Sequence, residues 1–369
     1  MKDGQKAAKA VSEARALAAR SSPPDAAEFR ADLEAALAAL DSEPAALRPP
    51  DRKGRPGGLV CLPRLSTLIV PDLHARGQLL ATLLDAKLPG SGAARVADLL
   101  AAGELVLLCL GDILHSEGPQ AAARWAQAAE GFVQGYSGGE ENPAMDLEMS
   151  LALSCLQIVF RLKAAFPRHV HCLKGNHDNL GNIEGNGDFS FRKYAMEGAM
   201  SAAWFSERYG RELLERVREY ELALPVAACG EDFCASHAEP AFAVDTESLV
   251  SYRARPDIVA ALIWTDNDEA EADSVRDSLE NLLGPGRADA LWFSGHRYVH
   301  GGVGLRAQGR LVQLHDPTEN RALLLRPAAR RGGKSPAFDI ELIRLAAPGV
   351  RKGGLVSESL HIDPAGSGD

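Results

Sequence analysis

Three stretches of sequence decide the fold, and they read TLIVPDLH at 67–74, LVLLCLGD at 105–112 and VHCLKGNHD at 170–178. Each is a short, continuous apolar run that gives way to proline or glycine and then to polar side chains. Such runs are typical of parallel strands buried on both faces of a sheet. Helix-prone segments at 119–132 and 147–166 separate them. The sequence therefore predicts an α/β protein whose helices pack against the sheet.

Shorter apolar runs later in the chain predict a second sheet packed on the first. They lie at 226–228, 232–236, 261–264, 290–294, 311–314, 322–325 and 338–345. Near the other end, the Ala-rich segments 5–20 and 25–40 predict a helical hairpin in which Ser22 caps the second helix. These features divide the chain into a helical extension at 1–50, a main domain at 58–346 and a mobile tail at 347–369.

Composition excludes several functional classes. The 369 residues are 46% apolar and 24% charged, as in an ordinary soluble globular protein. Forty basic and 50 acidic side chains give a net charge of −10, which disfavours nucleic acid or an anionic membrane as the partner. No apolar run reaches membrane-spanning length, and the six cysteines form no C-x-x-C pair. We expect reduced thiols and a cytoplasmic, non-membrane protein of unspecified oligomeric state.

Polar residues that can bind metals follow the predicted strands. Asp72 and His74 stand two residues apart, which places both side chains on the same side of an extended backbone. The other candidates also follow strands, and they are Asp112, Asn176, His177, His237 and His296. Each alone is as well explained by a cap or a turn. Together they offer oxygen and imidazole ligands without a thiolate, a set that suits Mn, Fe or Zn and is large enough for two divalent metal ions.

The order of these motifs resembles that of the calcineurin-like metallophosphoesterases. The order is Asp-x-His, Gly-Asp, Gly-Asn-His-Asp, His and Gly-His, and it is most similar to the phosphoprotein phosphatase branch. Leu224-Pro225 before the strand that ends at His237, and Trp264-Thr265-Asp266, resemble further segments of that branch. The resemblance covers roughly residues 58–325. It implies a four-layer α/β/β/α metallophosphoesterase sandwich, here with an N-terminal helical extension.

The resemblance also implies roles for single residues. The implied ligands of the first metal are Asp72 and His74, and those of the second are Asn176, His237 and His296. The carboxylate of Asp112 would be shared by the two metals. A hydroxide bridging the two metals would attack the phosphoester. His177 would protonate the leaving oxygen. The implied substrate is a phosphomonoester, on a protein or on a small molecule.

The chain departs from the family pattern in its second motif. The family reads Gly-Asp-x-x-Asp-Arg-Gly, but here His115 and Ser116 replace the second Asp and the Arg. In the fourth motif, His237-Ala238-Glu239 replaces His-Gly-Gly. Because a phosphate site that lacks its arginine needs another cation, we expect Arg297 to bind the phosphate, with Arg76 the second candidate and Arg192 the third.

Two other functions stay open at this point. One is hydrolysis of nucleotides or dinucleoside polyphosphates. The other is a binding protein that keeps the phosphoesterase fold without catalysis, although the six filled ligand positions argue against it. Among the remaining motifs, we interpret His300 as a loop residue or one that supports the ligands, His315-Asp316 as a turn after a strand, and 181–187 as a flexible loop at the active site.

Overall fold

The computed structural model describes residues 3–133, 142–287, 290–328, 338–345, 355–360 and 362. The helices are α1 (Asp3–Ala18), α2 (Ala26–Asp41), α3 (Gly77–Asp85), α4 (Val96–Ala102), α5 (Pro119–Val133), α6 (Pro143–Ala165), α7 (Glu197–Tyr209), α8 (Arg211–Ala223), α9 (Thr246–Val250), α10 (Pro256–Ile263) and α11 (Ser274–Leu283). The strands are β1 (Leu59–Cys61), β2 (Ser66–Val70), β3 (Leu105–Cys109), β4 (Val170–Cys172), β5 (Ala227–Cys229), β6 (Phe233–Ser236), β7 (Leu291–Tyr298), β8 (Gly304–Arg306), β9 (Leu311–His315), β10 (Arg321–Pro327), β11 (Phe338–Arg344) and β12 (Val356–Leu360).

Within the described residues the strands form two six-stranded sheets. The first has the order β12-β11-β10-β2-β3-β4, and the second has the order β1-β5-β6-β7-β9-β8. Strands β2, β3 and β4 run parallel, as the three opening stretches predict. The division between the sheets was predicted wrongly for β10 and β11. Strand β1 pairs with β5 in the second sheet, and β10 and β11 extend the first sheet by pairing with β2 and with each other.

Three apolar cores separate four layers. One core lies between the first sheet and helices α1 to α8, and it includes Leu68 and Leu107. The second lies between the two sheets, where Ile69 and Leu108 point the opposite way from their neighbours. The third packs the second sheet against α10 and α11. This order confirms the predicted α/β/β/α sandwich, since each sheet buries one face against helices and the other against its partner sheet.

Two local predictions were wrong. The run 261–264 was predicted as a strand, but it falls at the end of helix α10. Helix α2 is capped by Asp25, whose side chain accepts hydrogen bonds from the amides of Ala27 and Glu28, and not by Ser22. The mobility of the tail stays a prediction, and within the tail strand β12 pairs antiparallel with β11. The tail's other residues, except 355 and 362, lie outside the described part of the chain.

The N-terminal helical pair packs onto the main domain. Helix α1 contacts α3, α4 and α6, and α2 contacts α6 and α8. Phe29 of α2 is fully buried, with its ring 5.7 Å from that of Phe160 and 5.8 Å from that of Phe205. Helix α6 has the length and apolar composition of a membrane span, but 78% of its most apolar window is buried in the protein. It is the central helix of this layer.

Candidate metal centre

The carboxyl ends of the parallel strands place the candidate ligands at one edge of the two sheets. Asp72 and His74 follow β2, Asp112 follows β3 and Asn176 follows β4. His237 follows β6 of the second sheet, and His296 lies within β7. Because both sheets contribute strand ends to the same edge, the six predicted ligands meet there.

Three nitrogen and oxygen atoms converge where the second metal is predicted. Asn176 Oδ1 lies 2.9 Å from His237 Nε2 and 3.1 Å from His296 Nδ1. His237 Nδ1 donates to the carbonyl oxygen of Leu110 at 3.0 Å, so Nε2 carries the free lone pair. Ligand atoms bound at about 2.0–2.2 Å to one cation lie about 3–4 Å from each other. The three side chains therefore fit one divalent cation.

The predicted first site has a similar spacing. His74 Nε2 lies 3.9 Å from Asp72 Oδ2 and 3.5 Å from Asp112 Oδ2. His74 Nδ1 donates to the carbonyl oxygen of His115 at 2.9 Å, which again leaves Nε2 free for a metal. Asp112 Oδ2 is also 3.4 Å from His237 Nε2. One carboxylate oxygen therefore lies between the two ligand sets, as the shared role of Asp112 requires.

Backbone groups fix the two carboxylates. The amide of His296 donates to Asp72 Oδ2, and the amide of His177 donates to Asp112 Oδ1, each at 2.8 Å. Glycine is required beside both groups, because a Cβ at Gly295 would lie 1.7 Å from Asp72 Oδ1 and a Cβ at Gly175 would lie 2.2 Å from Asp112 Oδ1. The glycines of the Gly-His and Gly-Asn motifs therefore let the chain approach the carboxylates closely.

The electrostatics of the centre favour bound cations. Burial raises the pKa of Asp112 well above its ordinary value, and the neighbouring Asp72 and Asp178 raise it further. Burial also lowers the pKa of His74 to about 4, so this imidazole is a neutral potential ligand at pH 7. Asp72 Oδ1 is buried without a hydrogen-bond partner among the described residues. Buried carboxylates and unpaired atoms of this kind are stabilised by coordination to a metal.

Comparison with solved structures identifies the architecture. The chain superimposes on a protein serine/threonine phosphatase from Saccharomyces cerevisiae, described as similar to human phosphatase PP5, with a TM-score of 0.52. The alignment covers 89% of this chain and 93% of the yeast chain at 15% identity. This chain has the serine/threonine phosphatase fold. No protein-family model and no curated protein matches the sequence.

The predicted acid of this phosphatase fold, His177, lies at the mouth of the centre. It is partly exposed, and its ring centroid is 5.4 Å from that of His74. The ring packs against Phe191 at 4.4 Å, and its Nδ1 has no hydrogen-bond partner among the described residues. His115 occupies the neighbouring position, with its ring buried 4.5 Å from that of Phe191. Among the described residues, His177 is therefore held by packing, with no carboxylate bonded to its ring.

The three candidate arginines have different surroundings. Arg76 stays a prediction as a phosphate ligand, and its guanidinium donates to four backbone carbonyls, those of Asp72, Leu73, Asp316 and Glu319. Arg297 forms an ion pair with Asp266 and is 41% exposed. Arg192 is exposed and follows Phe191, which packs on His177. Arg297 and Arg192 stay predictions.

The sequence analysis missed three residues at the centre. Glu117 Oε1 lies 3.5 Å from His74 Nε2 and pairs with the ammonium group of Lys193. Glu117 Oε2 lies 3.2 Å from His315 Nε2. The interpretation of His315-Asp316 as a turn was wrong for His315, which is buried beside Asp72. Its position after a strand was a visible signal, whereas nothing in the motif spacing pointed to Glu117 or Lys193.

The predicted flexible loop is structured in the described residues. The side chain of Asn179 accepts from the amide of Ile183 and donates to the carbonyls of Ile183 and Phe189. Asp188 is fully buried and pairs with Lys174 and Arg218. These bonds hold the loop in one conformation and so place Phe191 against His177.

Proposed function

We propose that this protein is a metal-dependent phosphoesterase that hydrolyses phosphomonoesters. The observation that carries the proposal is the position of Asp112 Oδ2, which lies 3.5 Å from His74 Nε2 and 3.4 Å from His237 Nε2. A carboxylate oxygen between two imidazoles with free lone pairs is the arrangement that a pair of divalent metals needs. The phosphatase fold of the chain supports the same activity.

The metal ions and the protein residues would have different roles in the reaction. Two divalent metals, when bound, activate water for attack at phosphorus and neutralise the phosphate oxygens. The chain holds the ligands through backbone amides and glycines, so little reorganisation accompanies the reaction. His177 would donate a proton to the leaving oxygen, since it is the partly exposed imidazole beside the ligands. Its pKa is lowered by burial and by His74 and His115, and a substrate dianion would oppose that effect.

Lys193 is the cation best placed for the substrate. Its ammonium group contacts Glu117, whose other contacts are the rings of His74 and His315. The side chain is 49% exposed, so it can reach a ligand at the mouth of the centre. A charge-assisted donor there would partly replace the arginine of the family pattern. We propose that the substrate is a phosphorylated protein, because the chain shares its fold with a protein serine/threonine phosphatase.

The test compares substrates and metals. Purified protein would be assayed with Mn²⁺, Fe²⁺ or Zn²⁺ on a phosphoserine peptide, on a small phosphomonoester and on a dinucleoside tetraphosphate. Turnover of the peptide at the highest kcat/KM supports the proposal, and preference for the tetraphosphate favours the nucleotide hydrolase instead. Metal binding without turnover of any substrate would indicate a binding protein.

Asp112→Asn is the critical variant. We expect it to lose affinity for at least one metal and nearly all turnover, because a neutral amide bridges two cations poorly. Elemental analysis and steady-state kinetics would measure both effects. A variant that retained two metals per chain and a near-normal rate would refute the assignment of the centre.

A further inference from the structure

The side chain of His315 has the surroundings of a metal ligand. It ends strand β9, is 2% exposed and lies on the same side of the centre as Asp72 and His74. Its Nε2 is 3.2 Å from Glu117 Oε2. Its Nδ1 is buried, has no hydrogen-bond partner among the described residues and lies 3.4 Å from Asp72 Oδ2.

The contact with Glu117 decides which nitrogen is free. A carboxylate accepts hydrogen bonds, so Nε2 carries the proton and Nδ1 keeps its lone pair. That lone pair faces the ligands of the first predicted metal, and the ring centroids of His315 and His74 are 5.1 Å apart. One ligand atom from each of Asp72, His74 and His315 can be chosen so that all lie within 4.8 Å of one another. An imidazole that bonds a carboxylate on one side and faces a metal site on the other is a recurrent arrangement of metal ligands.

The surrounding contacts fix this geometry. Arg76 donates to the carbonyl of Asp72 and to that of Asp316, the residue after His315. The buried guanidinium therefore joins the loop after β2 to the end of β9. Lys193 pairs with Glu117 on the side away from His315. The carboxylate is thus held between a cation and the histidine that it orients.

We propose that His315 Nδ1 is a protein ligand of the first metal and that Glu117 orients it. The proposal rests on the metal pair of the proposed function. It gives the first site two carboxylates, Asp72 and Asp112, and two imidazoles, His74 and His315. Because imidazole suits Fe and Zn better than Mg, the added ligand favours a transition metal at this site.

The experiment titrates the metal-free full-length protein with Co²⁺ and follows visible absorption, with elemental analysis after dialysis. The wild type should bind two ions per chain. His315→Ala should still bind one ion at the site formed by Asn176, His237 and His296. The affinity of its first site for Co²⁺ should fall by more than about 100-fold. Glu117→Gln keeps His315 but removes the carboxylate that orients it. The affinity of the first metal site for Co²⁺ should therefore fall by about 10–100-fold. His300→Ala removes an exposed imidazole whose ring contacts Tyr298, and both of its sites should match the wild type.

A structural role for His315 predicts a different result. In that case His315→Ala and Glu117→Gln lower the melting temperature and leave both Co²⁺ affinities unchanged, which overturns the proposal while the proposed function stands. If the wild type binds no Co²⁺, Mn²⁺ or Zn²⁺, this result overturns both the proposed role of His315 and the proposed function.

A measurement on the wild type covers the case in which His315→Ala does not fold. In the Co²⁺-loaded protein, each coordinated histidine contributes one shifted ring N–H proton to the NMR spectrum. Four such signals are expected, from His74, His237, His296 and His315, and Glu117→Gln should displace one of them. Three signals, all unchanged in Glu117→Gln, would overturn the proposal.

Discussion

Four residues at the centre hold a left-handed backbone conformation. The φ angles are 41° at His74, 47° at Asp112, 58° at His115 and 63° at His296. None is glycine, and such conformations cost about 1–2 kcal/mol for each residue. Backbone strain of this kind concentrates at functional sites, where the rest of the structure enforces it. Here it turns the side chains of three predicted ligands toward one another at the end of the strands.

His177 provides the first prediction at the residue scale. If His177 is the acid, His177→Asn should keep both metals, although one ring nitrogen lies within 4.8 Å of ligand atoms of His74 and Asp112. It should slow esters with poor leaving groups by about 10²–10⁴-fold and activated aryl phosphates much less, since these need no proton on the leaving oxygen. Parallel kinetics on an alkyl and an aryl phosphate measure the difference. Equal losses on the two esters, or loss of metal, would show that His177 is not the acid.

The second prediction separates the candidate phosphate-binding cations. Lys193→Ala should lower kcat/KM by about 10–100-fold, the loss expected for one charge-assisted hydrogen bond of about 1.5–3 kcal/mol. Arg297→Ala should lose less, because that guanidinium is already paired with Asp266. Arg192→Ala removes the third candidate, an exposed cation next in sequence to Lys193, and should also lose less than Lys193→Ala. If Arg297→Ala has the largest effect of the three, the original ranking was right and Lys193 only supports Glu117.

The sequence predicted which residue types form the centre better than it predicted where their side chains point. The six predicted ligands lie together because five follow a strand and His296 lies within β7, and these parts of the two sheets meet at one edge. Closeness to a ligand in sequence does not determine where a long side chain points, and the guanidinium of Arg76 donates to backbone carbonyls. Glu117, Lys193 and His315 come from three separate segments, and only the packed structure brings their side chains together.

Among the elements, a buried charge cluster joins the N-terminal segment to the first helical layer. Glu43 accepts from Arg48 at 2.8 Å and from Lys163 of α6 at 2.5 Å, and all three side chains are almost fully buried. Burial alone would raise the pKa of Glu43, but His171, Lys163 and Arg48 outweigh it and lower the pKa to about 2. The cluster therefore contributes stability that depends on pH.

Glu43→Gln provides the third prediction. Removing one partner of a buried ion pair leaves the remaining cations uncompensated, so the free energy of unfolding should fall by about 3–5 kcal/mol. Because the folded pKa is lowered from 4.5 to about 2, the contribution of Glu43 is complete above pH 4.5 and is lost as the pH falls from 4.5 toward 2. Urea unfolding across this range should show the wild type and the variant converging at the acid end.

The matched control is Glu247→Gln, which breaks the exposed pair of Glu247 with Arg52. It should change the free energy of unfolding by less than about 1 kcal/mol. Equal effects of the two substitutions, or an effect of Glu43→Gln that does not decrease on acidification, would contradict the role given to the cluster.

Prediction of the elements succeeded where the pattern was long and failed where it was short. The three opening strands and helices α5 and α6 lie where the sequence places them, within a few residues at their ends. The four-residue run 261–264 is too short for its periodicity to separate a strand from the end of a helix, and it belongs to α10. Membership of a sheet was harder still, because β1 and β10 pair with strands far away in sequence.

For the whole molecule, the N-terminal helices form part of the first core. Five apolar side chains of α1 and five of α2 are buried there, among them Val11, Leu17, Phe29 and Leu33. The predicted boundary between an extension at 1–50 and a main domain therefore crosses a continuous core. The C-terminal residues contribute less to the apolar cores. Most of β12 is exposed, and beyond it only Ile362 is buried among the described residues.

The fourth prediction compares truncations at the two ends. A chain that starts at residue 58 should aggregate or unfold without a cooperative transition. It would expose the surfaces of α3, α4, α6 and α8 that α1 and α2 cover, and each buried Leu or Phe lost removes about 1.5–3 kcal/mol. A chain that ends at residue 345 should fold and lose only a few kcal/mol, chiefly from β12 and Ile362. Solubility and calorimetric melting of the two truncations measure the difference. A soluble, cooperatively melting chain without residues 1–57 would show that the helical pair is an independent addition, as its Ala-rich sequence first indicated.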